Sequence, residues 1–372
     1  MRLKGEIYPV KRARGLYEKY LTRENAKLAL LEVNRTHRWT AGHRPNRTVR
    51  RIEANIEGAV DALLVIAADY RPNAPRMRRR WDESAGKWRD IYEPDLWPDQ
   101  YVHHMAIQAL QPVLMRGMDR DCCGSIPGRG IHYGMTRLRK WMKSDRRGTK
   151  WCAEMDVRHF YDSLQPGVVM DALRRRIKDR QMLDVCERLM AHGVLIGAYF
   201  SQWFANTVLQ GLDRLIRGSG CARHYLRYMD NITVLGRNKR KLRRLVEAVR
   251  AWLRSRGLDL KGTWQVFPTR AREVAALGYR FAPGGGIRLR KRNRLRLMRQ
   301  LRRYRKRKVI DEKFAAGLLS RLGQTKHCKN TVFYRKYLPY RAVRRCKAVV
   351  REWTRREMKR WSMYLEPSRG AA

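Results

Sequence analysis

The stretch HYLRYMDNITVLG, His224 to Gly236, restricts the fold more than any other, because large apolar and polar residues alternate on both sides of Met229-Asp230-Asn231. Period-two alternation broken by a turn triplet is the pattern of a half-buried β-hairpin, and this turn carries a carboxylate. A second apolar run, KWCAEMD, ends at Asp156, 74 residues upstream of Asp230. Strands whose ends carry acids, laid side by side, bring both carboxylates to one end of a sheet. Such a pair suits Mg²⁺, which takes one or two protein carboxylates plus substrate phosphates rather than a closed protein cage. Paired ions of this kind clamp the attacking and leaving oxygens of a phosphoryl transfer. Each acid alone has an ordinary explanation: Asp230 as a turn former, Asp156 as the cap of the next helix.

Charge narrows the partner. The 372 residues hold 84 Lys+Arg against 34 Asp+Glu, a formal net charge of +50. That excess is far beyond what solubility needs and calls for a polyanion, of which nucleic acid is the commonest because each neutralised phosphate releases condensed counterions. With 44% hydrophobic residues and 11 Trp the chain still builds a core and is not a disordered polycation. A membrane role is disfavoured: the apolar run AVDALLVIAADY is too short to span a bilayer, and MRLKGEIYPVKRARG has no apolar signal core. Seven cysteines without a C-x-x-C pair point to a reducing cytoplasm rather than to a disulfide framework. Adjacent His103-His104 rarely face one metal.

Along the chain, apolar spacing predicts two helices between Gly15 and about Asp69, extended segments over RPNAPRMRRRWDESAGKWRDIYEP, and a helix over DQYVHHMAIQALQPVLMRGM. A helix over Thr136–Lys143 leads to the strand ending at Asp156. Phe204, Val208, Leu212 and Leu215 share one helical face, and an amphipathic helix runs from about Lys239 to Arg256. LDLKGTWQVFP and EVAALGYRFAPGGGIRLR read as strands, the latter with a glycine turn. Between Arg288 and Lys308, 13 of 21 residues are Lys or Arg and none is acidic, yet Leu297, Leu301 and Tyr304 recur at helical spacing. That is a helix with one packed edge and a cationic remainder. The whole order suggests an α+β fold with a small antiparallel sheet. Ser201 reads as a helix cap.

From Ser125 to Gly278 the chain resembles the reverse transcriptases of bacteria and phages, block by block and in order. SIPGRGIH resembles the fingers block, EMDVRHFYDSL motif A, GVLIGAYFSQWFANTVLQGLDR motif B, YMDN the Y-x-D-D of motif C, and LGYRF the strand block after motif D. A weaker match extends upstream and, through RLGQTKHCKNTVFYRKY, downstream. The resemblance implies a right-hand polymerase: residues 1–90 as an N-terminal helical extension and the start of the fingers, 91–150 as fingers, 151–285 as palm, and 286–372 as a basic helical thumb. It implies RNA-directed DNA synthesis from an RNA template, a DNA primer and dNTPs, with Mg²⁺, or Mn²⁺ in its place. Asp156 and Asp230 would hold the ions and the Val157 carbonyl would complete a site. Tyr161 would pack under the incoming sugar and Gln202 would hydrogen-bond nucleotide or template. Arg89 and Arg129 are candidate triphosphate clamps, since guanidinium matches phosphate bidentately, with ordinary backbone contact as the plainer reading. Arg292, Arg296, Arg299, Arg303 and Lys306 would grip the nucleic-acid backbone.

Two departures matter. Asn231 replaces the second motif C aspartate, which removes a charge and weakens metal affinity. In motif B, Ile196-Gly197 and Ser201-Gln202 stand where retroelement enzymes commonly have Gln-Gly and Ser-Pro, a pattern that resembles the diversity-generating type. Those enzymes imply a small basic accessory protein as partner. Motif D lacks its usual lysine, with Lys261 close by. A non-catalytic, maturase-like RNA-binding scaffold and a phage-defence enzyme are the competing expectations.

Overall fold

The computed structural model describes residues 11–39, 45–82, 86–328, 337 and 340–365; within the downstream block of resemblance, 329–336 lie outside them. The chain divides into two compact units, Met1–Gly134 with Lys150–Phe267, and Met135–Thr149 with Pro268–Ala372.

In the first unit, four helices stand where two were expected: α1 (Leu16–Tyr20), α2 (Arg23–His37), α3 (Arg47–Ala54) and α4 (Ile56–Ala68). Short polar side chains cut the segment up. Thr22 accepts from the Asn25 amide at 3.1 Å, Asn46 from Thr48 at 3.1 Å and Asn55 from Gly58 at 3.0 Å, and each such cap satisfies an amide that the helix start leaves without a partner. The arginine-rich segment then forms an antiparallel ribbon of β1 (Arg76–Asp82) and β2 (Lys87–Glu93). Its first strand is exposed on both faces, apart from the half-buried Asp82. After α5 (Tyr101–Met115), α6 (Ile131–Ser144) begins earlier than the expected Thr136 and runs across the boundary between the units.

The central sheet has the order β4-β5-β3-β6, from His224–Tyr228, Asn231–Gly236, Trp151–Asp156 and Gln265–Pro268. Strand β3 lies antiparallel to β5 in a register that sets Asp156 opposite Asn231 and Trp151 opposite Gly236. The expected strand LDLKGTWQVFP is shorter than its apolar pattern: only Gln265–Pro268 joins the sheet beyond a single bridge, Val157 to Leu260. Between β3 and β4 come α7 (Phe160–Ser163), α8 (Pro166–Arg174), α9 (Arg180–Leu189) and α10 (Tyr199–Gly218). Apolar spacing predicts a single apolar face for α10. In the structure it is the core helix of the unit: Phe204, Leu209 and Leu212 are fully buried, and so are the polar Asn206, Gln210 and Asp213. Each such apolar side chain contributes about 1.5–3 kcal/mol on burial. Ser201 is no cap: it lies inside the first turn, 1% exposed, while Ala198 holds the cap position. Helix α11 (Lys239–Arg254) buries Leu242, Leu245, Val246, Val249 and Leu253, the amphipathic face expected of it.

The second unit carries a meander, β7 (Val274–Ala276), β8 (Tyr279–Phe281) and β9 (Ile287–Leu289). Its second turn uses Gly284 and Gly285 at φ +85° and +83°, a backbone that glycine adopts without penalty. Helices α12 (Lys291–Lys306), α13 (Glu312–Gly323) and α14 (Tyr340–Leu365) follow. Leu297 and Leu301 of α12 join Ile310, Ala315, Leu318 and Cys346 in a separate core, with Tyr304 packed against it. The architecture is α+β with small antiparallel sheets. Among the described residues no helix is long and apolar enough to cross a membrane.

Candidate active site

Strand pairing brings the two acids together. Tyr228 pairs with Asn231 across β4 and β5, so Met229 and Asp230 form the two-residue turn, and Asp156 ends β3 directly beside it. Burial, and then the neighbouring Asp156 charge, push Asp230 up to about 6; a hydrogen bond that protonated Asp230 donates to Asp156 adds to this, and Lys261 opposes it. Asn231 donates from Nδ2 to Asp230 Oδ1 at 3.2 Å, so the amide in the variant position orients the acid before it.

The backbone at Asp156 is also fixed. Lys261 N donates to the Asp156 carbonyl at 2.8 Å and Arg158 N to the Asp259 carbonyl at 2.8 Å. These bonds flank the Val157–Leu260 bridge, which is therefore a non-hydrogen-bonded pair, and the Val157 carbonyl turns away from Leu260. Val157 is fully buried. Tyr161 follows on α7, half-buried and packed against Phe160 at 5.5 Å between ring centroids. Burial first, and Asp230 next, raise its phenol above the ordinary range. Asp156, Asp230, Asn231, Val157 and Tyr161 are thus brought to one end of the sheet.

The remaining expected residues have other engagements. Arg89 Nε holds Asp82 at 2.6 Å across the ribbon, although its charge is felt at Tyr161. Arg129 donates from Nη1 to the Asp119 carbonyl at 3.0 Å. The Ile196 carbonyl accepts from Tyr92 N at 2.8 Å, which ties the loop before α10 to β2. Gly197, at φ +118°, allows this approach, because a Cβ there would overlap the Tyr92 carbonyl oxygen and stand 3.0 Å from Ile91 Cγ2. Gln202 is exposed on the first turn of α10. On α12, Arg292, Arg299, Arg303 and Lys306 are exposed and Arg296 is half-buried.

Three features escaped the sequence reading. The first is the contact of Lys261, placed above only near motif D, whose Nζ lies 2.7 Å from Asp156 Oδ1. The second lies behind the turn. Arg227, fully buried, donates from Nε and Nη2 to Asp213 at 2.7 and 2.8 Å, and from Nη1 to Asn206 at 2.7 Å and to the Met229 carbonyl at 3.1 Å. Burial alone would lower the Arg227 pKa; the Asp213 charge overrides it and holds the guanidinium well above its usual value. Tyr225 donates to the same carboxylate. This network supports Met229 at φ +54°, a left-handed conformation that costs a non-glycine residue about 1–2 kcal/mol. Gly124 packs under the turn, where a Cβ would meet Met229 N at 2.5 Å. The third is an aromatic pair on the ribbon: Trp81 and Trp88, 49% and 56% exposed, meet edge to face at 5.4 Å, with the Arg79 guanidinium 6.0 Å from the Trp88 ring.

The donor set fits a divalent cation that prefers oxygen. Its side-chain donors are two carboxylates, and an ammonium already stands on one of them as a cation would. Among the described residues no group of three or more His, Cys, Asp or Glu could hold a metal as a protein-only cage, so other oxygens must complete the coordination. Burial pushes the Cys122 thiol up to about 11 and His103 down to about 3, which leaves both as neutral core residues.

An antiparallel sheet thus bears two acids at a hairpin end, with a long helix packed behind it. The family model of the reverse transcriptase (RNA-dependent DNA polymerase) matches residues 82–281, and the chain belongs to that family. It is 24% identical over 211 residues to Protein YkfC of Escherichia coli (strain K12), covering 52% of this chain and 55% of that relative. It is 30% identical over 106 residues to Nuclear intron maturase 1, mitochondrial, of Arabidopsis thaliana, covering 28% of this chain and 14% of the maturase. The chain thus spans about half the length of the first relative and a small part of the second. Among solved structures, apo telomerase from Candida tropicalis aligns over 94% of this chain and 76% of its own at 10% identity and a TM-score of 0.45. Telomerase from Candida albicans in complex with a fragment of telomeric RNA aligns over 69% and 53% at 11% identity and a TM-score of 0.43.

Proposed function

We propose that the protein synthesises DNA on an RNA template and that Asp156 and Asp230 hold the divalent ions for nucleotidyl transfer, Mg²⁺ by preference and Mn²⁺ in its place. The observation that carries this reading is the convergence of the two carboxylates at the β4–β5 turn, close enough for Asp230 to feel the Asp156 charge. When bound there, the ions supply Lewis acidity and charge neutralisation at the triphosphate and the primer hydroxyl. The chain's own residues do the positioning. Asp156 and Asp230 present oxygen ligands, with the Val157 carbonyl as a third. The Tyr161 ring occupies the volume that a 2′-hydroxyl would need, and Gln202 offers an exposed amide to nucleotide or template. Arg89 and Arg129 clamp the triphosphate, Arg89 after leaving Asp82. Trp81 and Trp88 offer faces on which unpaired template bases stack, a contact worth about 1–3 kcal/mol per base. Arg292, Arg296, Arg299, Arg303 and Lys306 grip backbone phosphate from α12, with a steep salt dependence.

In this reading residues 1–90 and 91–150 serve as extension and fingers, 151–285 as palm and 286–372 as thumb, in the cytoplasm of a bacterial or phage-infected cell. Ile196 before Gly197 supports membership of the diversity-generating type, with a small basic protein as partner. Asn231 and the likeness to a maturase favour one alternative, an RNA-binding scaffold without synthesis; a phage-defence role uses the same chemistry. Primer extension on an RNA template separates them. Extension by the protein that disappears in Asp156→Ala supports the polymerase; no extension under either Mg²⁺ or Mn²⁺ overturns it in favour of the scaffold.

A further inference from the structure

A cavity of about 960 Å³ opens in the first unit between residues 11–19, the C-terminal half of α5 and Lys178. Its construction is deliberate in the sense that the backbone is clamped. Ala13 N donates to the Arg176 carbonyl at 2.7 Å and Lys178 N to the Ala13 carbonyl at 2.8 Å, while Leu16 N and Tyr17 N both donate to Asp179 Oδ2 at 2.8 and 2.9 Å. Six cations line the space so formed: Lys11, Arg12, Arg14, Lys19, Arg116 and Lys178. No carboxylate lines it, and none of the six has an ion-pair partner among the described residues. The charge extends below the surface. Arg176, 5% exposed, donates to the Arg116 carbonyl and to Gln210 and has no acid beside it; burial and the nearby Arg214 push it down to about 10.

What the cavity lacks identifies its ligand. Among the described residues no aromatic ring lines it for a base to stack on. Its amide N–H groups are engaged: Asn25 Nδ2 donates to the Tyr20 and Met105 carbonyls at 2.9 and 3.0 Å, and Gln108 Nε2 donates to Glu32 at 3.0 Å. Cationic donors suited to phosphate therefore dominate the described lining. All six cations are exposed, as suits long flexible side chains that follow an extended polyanion. We propose that this cavity is a second RNA site, which grips the phosphodiester backbone of folded RNA without reading its sequence, apart from the residues of the catalytic sheet. The inference rests on the polymerase reading only in choosing RNA as the polyanion.

The test measures binding rather than synthesis, so it stands or falls independently of catalysis. The full chain with Arg12→Gln, Arg14→Gln, Arg116→Gln and Lys178→Gln is compared with a chain that loses equal charge from the exposed face of α11 through Arg240→Gln, Lys241→Gln, Arg243→Gln and Arg244→Gln. Affinity for a fluorescent RNA stem-loop is followed against KCl by anisotropy. Each lost phosphate contact lowers the log–log salt slope by about 0.9 on a duplex, so four give a drop of about 3 to 4 in the cavity variant and a drop below about 1 in the other. Photocrosslinking of the unsubstituted protein to the same stem-loop should label the peptide that carries Arg12 and Arg14, a readout that needs no variant to fold. Equal drops in both variants, no drop in either, or absence of that crosslink overturns the proposal. Displacement of the stem-loop by micromolar inorganic tripolyphosphate at matched ionic strength also overturns it and assigns the cavity to a small polyphosphate.

Discussion

Replacing Asp213 by Asn tests how the Met229-Asp230 turn is held. The substitution keeps the shape of the side chain but leaves Arg227, 0% exposed, without its counter-charge. Two charge-assisted hydrogen bonds at 2.7 and 2.8 Å lose their ionised acceptor, and the Tyr225 hydroxyl loses the same partner. Stranding one member of a buried pair costs about 3–5 kcal/mol, and for a unit of this size that corresponds to a fall of roughly 6–20 °C in melting temperature. Differential scanning calorimetry on the full chain reads it directly. The double variant Arg227→Met with Asp213→Leu removes both charges and should melt above Asp213→Asn, since the unpaired charge carries most of the cost. A fall of less than about 2 °C for Asp213→Asn, or a double variant no more stable than Asp213→Asn, would refute the account. Catalysis should suffer even in the double variant, because Arg227 Nη1 also holds the Met229 carbonyl.

Asn231→Asp restores a negative charge beside Asp230 and should lower the Mg²⁺ concentration at half-maximal primer extension several-fold; superimposable titrations would remove the idea. In chelator, Asp230 with its pKa near 6 holds a proton that the unfolded chain, at 3.8, has lost. Stability should therefore fall as pH rises from about 4 to 6 and then level off, by at most about 3 kcal/mol. Melting curves of the protein minus those of Asp230→Asn isolate this contribution, and a difference that is flat across the window counts against it. Gly197→Ala places a Cβ against the Tyr92 carbonyl in a backbone that disfavours side chains, so it should detach the loop from β2 and cut extension at least tenfold; amide exchange at Tyr92, whose N donates to Ile196, should speed up, and unchanged protection would disprove the contact.

How much of this was legible in advance depended on the range of the interactions. The meeting of Asp156 and Asp230 could be read because each sits at the end of an alternating run, and pairing two such runs fixes the register. The cationic helix with one packed edge was equally plain from Leu297, Leu301 and Tyr304. Lys261 and the Arg227–Asp213 pair were hidden because they are contacts between separate elements, and nothing local distinguishes Asp213 from any acid on a helix. Asp213 faces inward from a helix buried around most of its circumference, whereas Phe204, Val208, Leu212 and Leu215 suggested a single apolar stripe. Apolar spacing alone does not show where one helix ends and the next begins; Thr22, Asn46 and Asn55, which cap three of the four helices, mark those breaks.

The ammonium of Lys261 on Asp156 has a consequence for how the protein matures. Two anions forced together at a turn ordinarily make a chain wait for its ions before it can close, as small zinc domains do. Here a tethered charge from the same polypeptide, the Lys261 ammonium 2.7 Å from Asp156, stands in at high effective concentration, so the chain can finish folding without a bound cation.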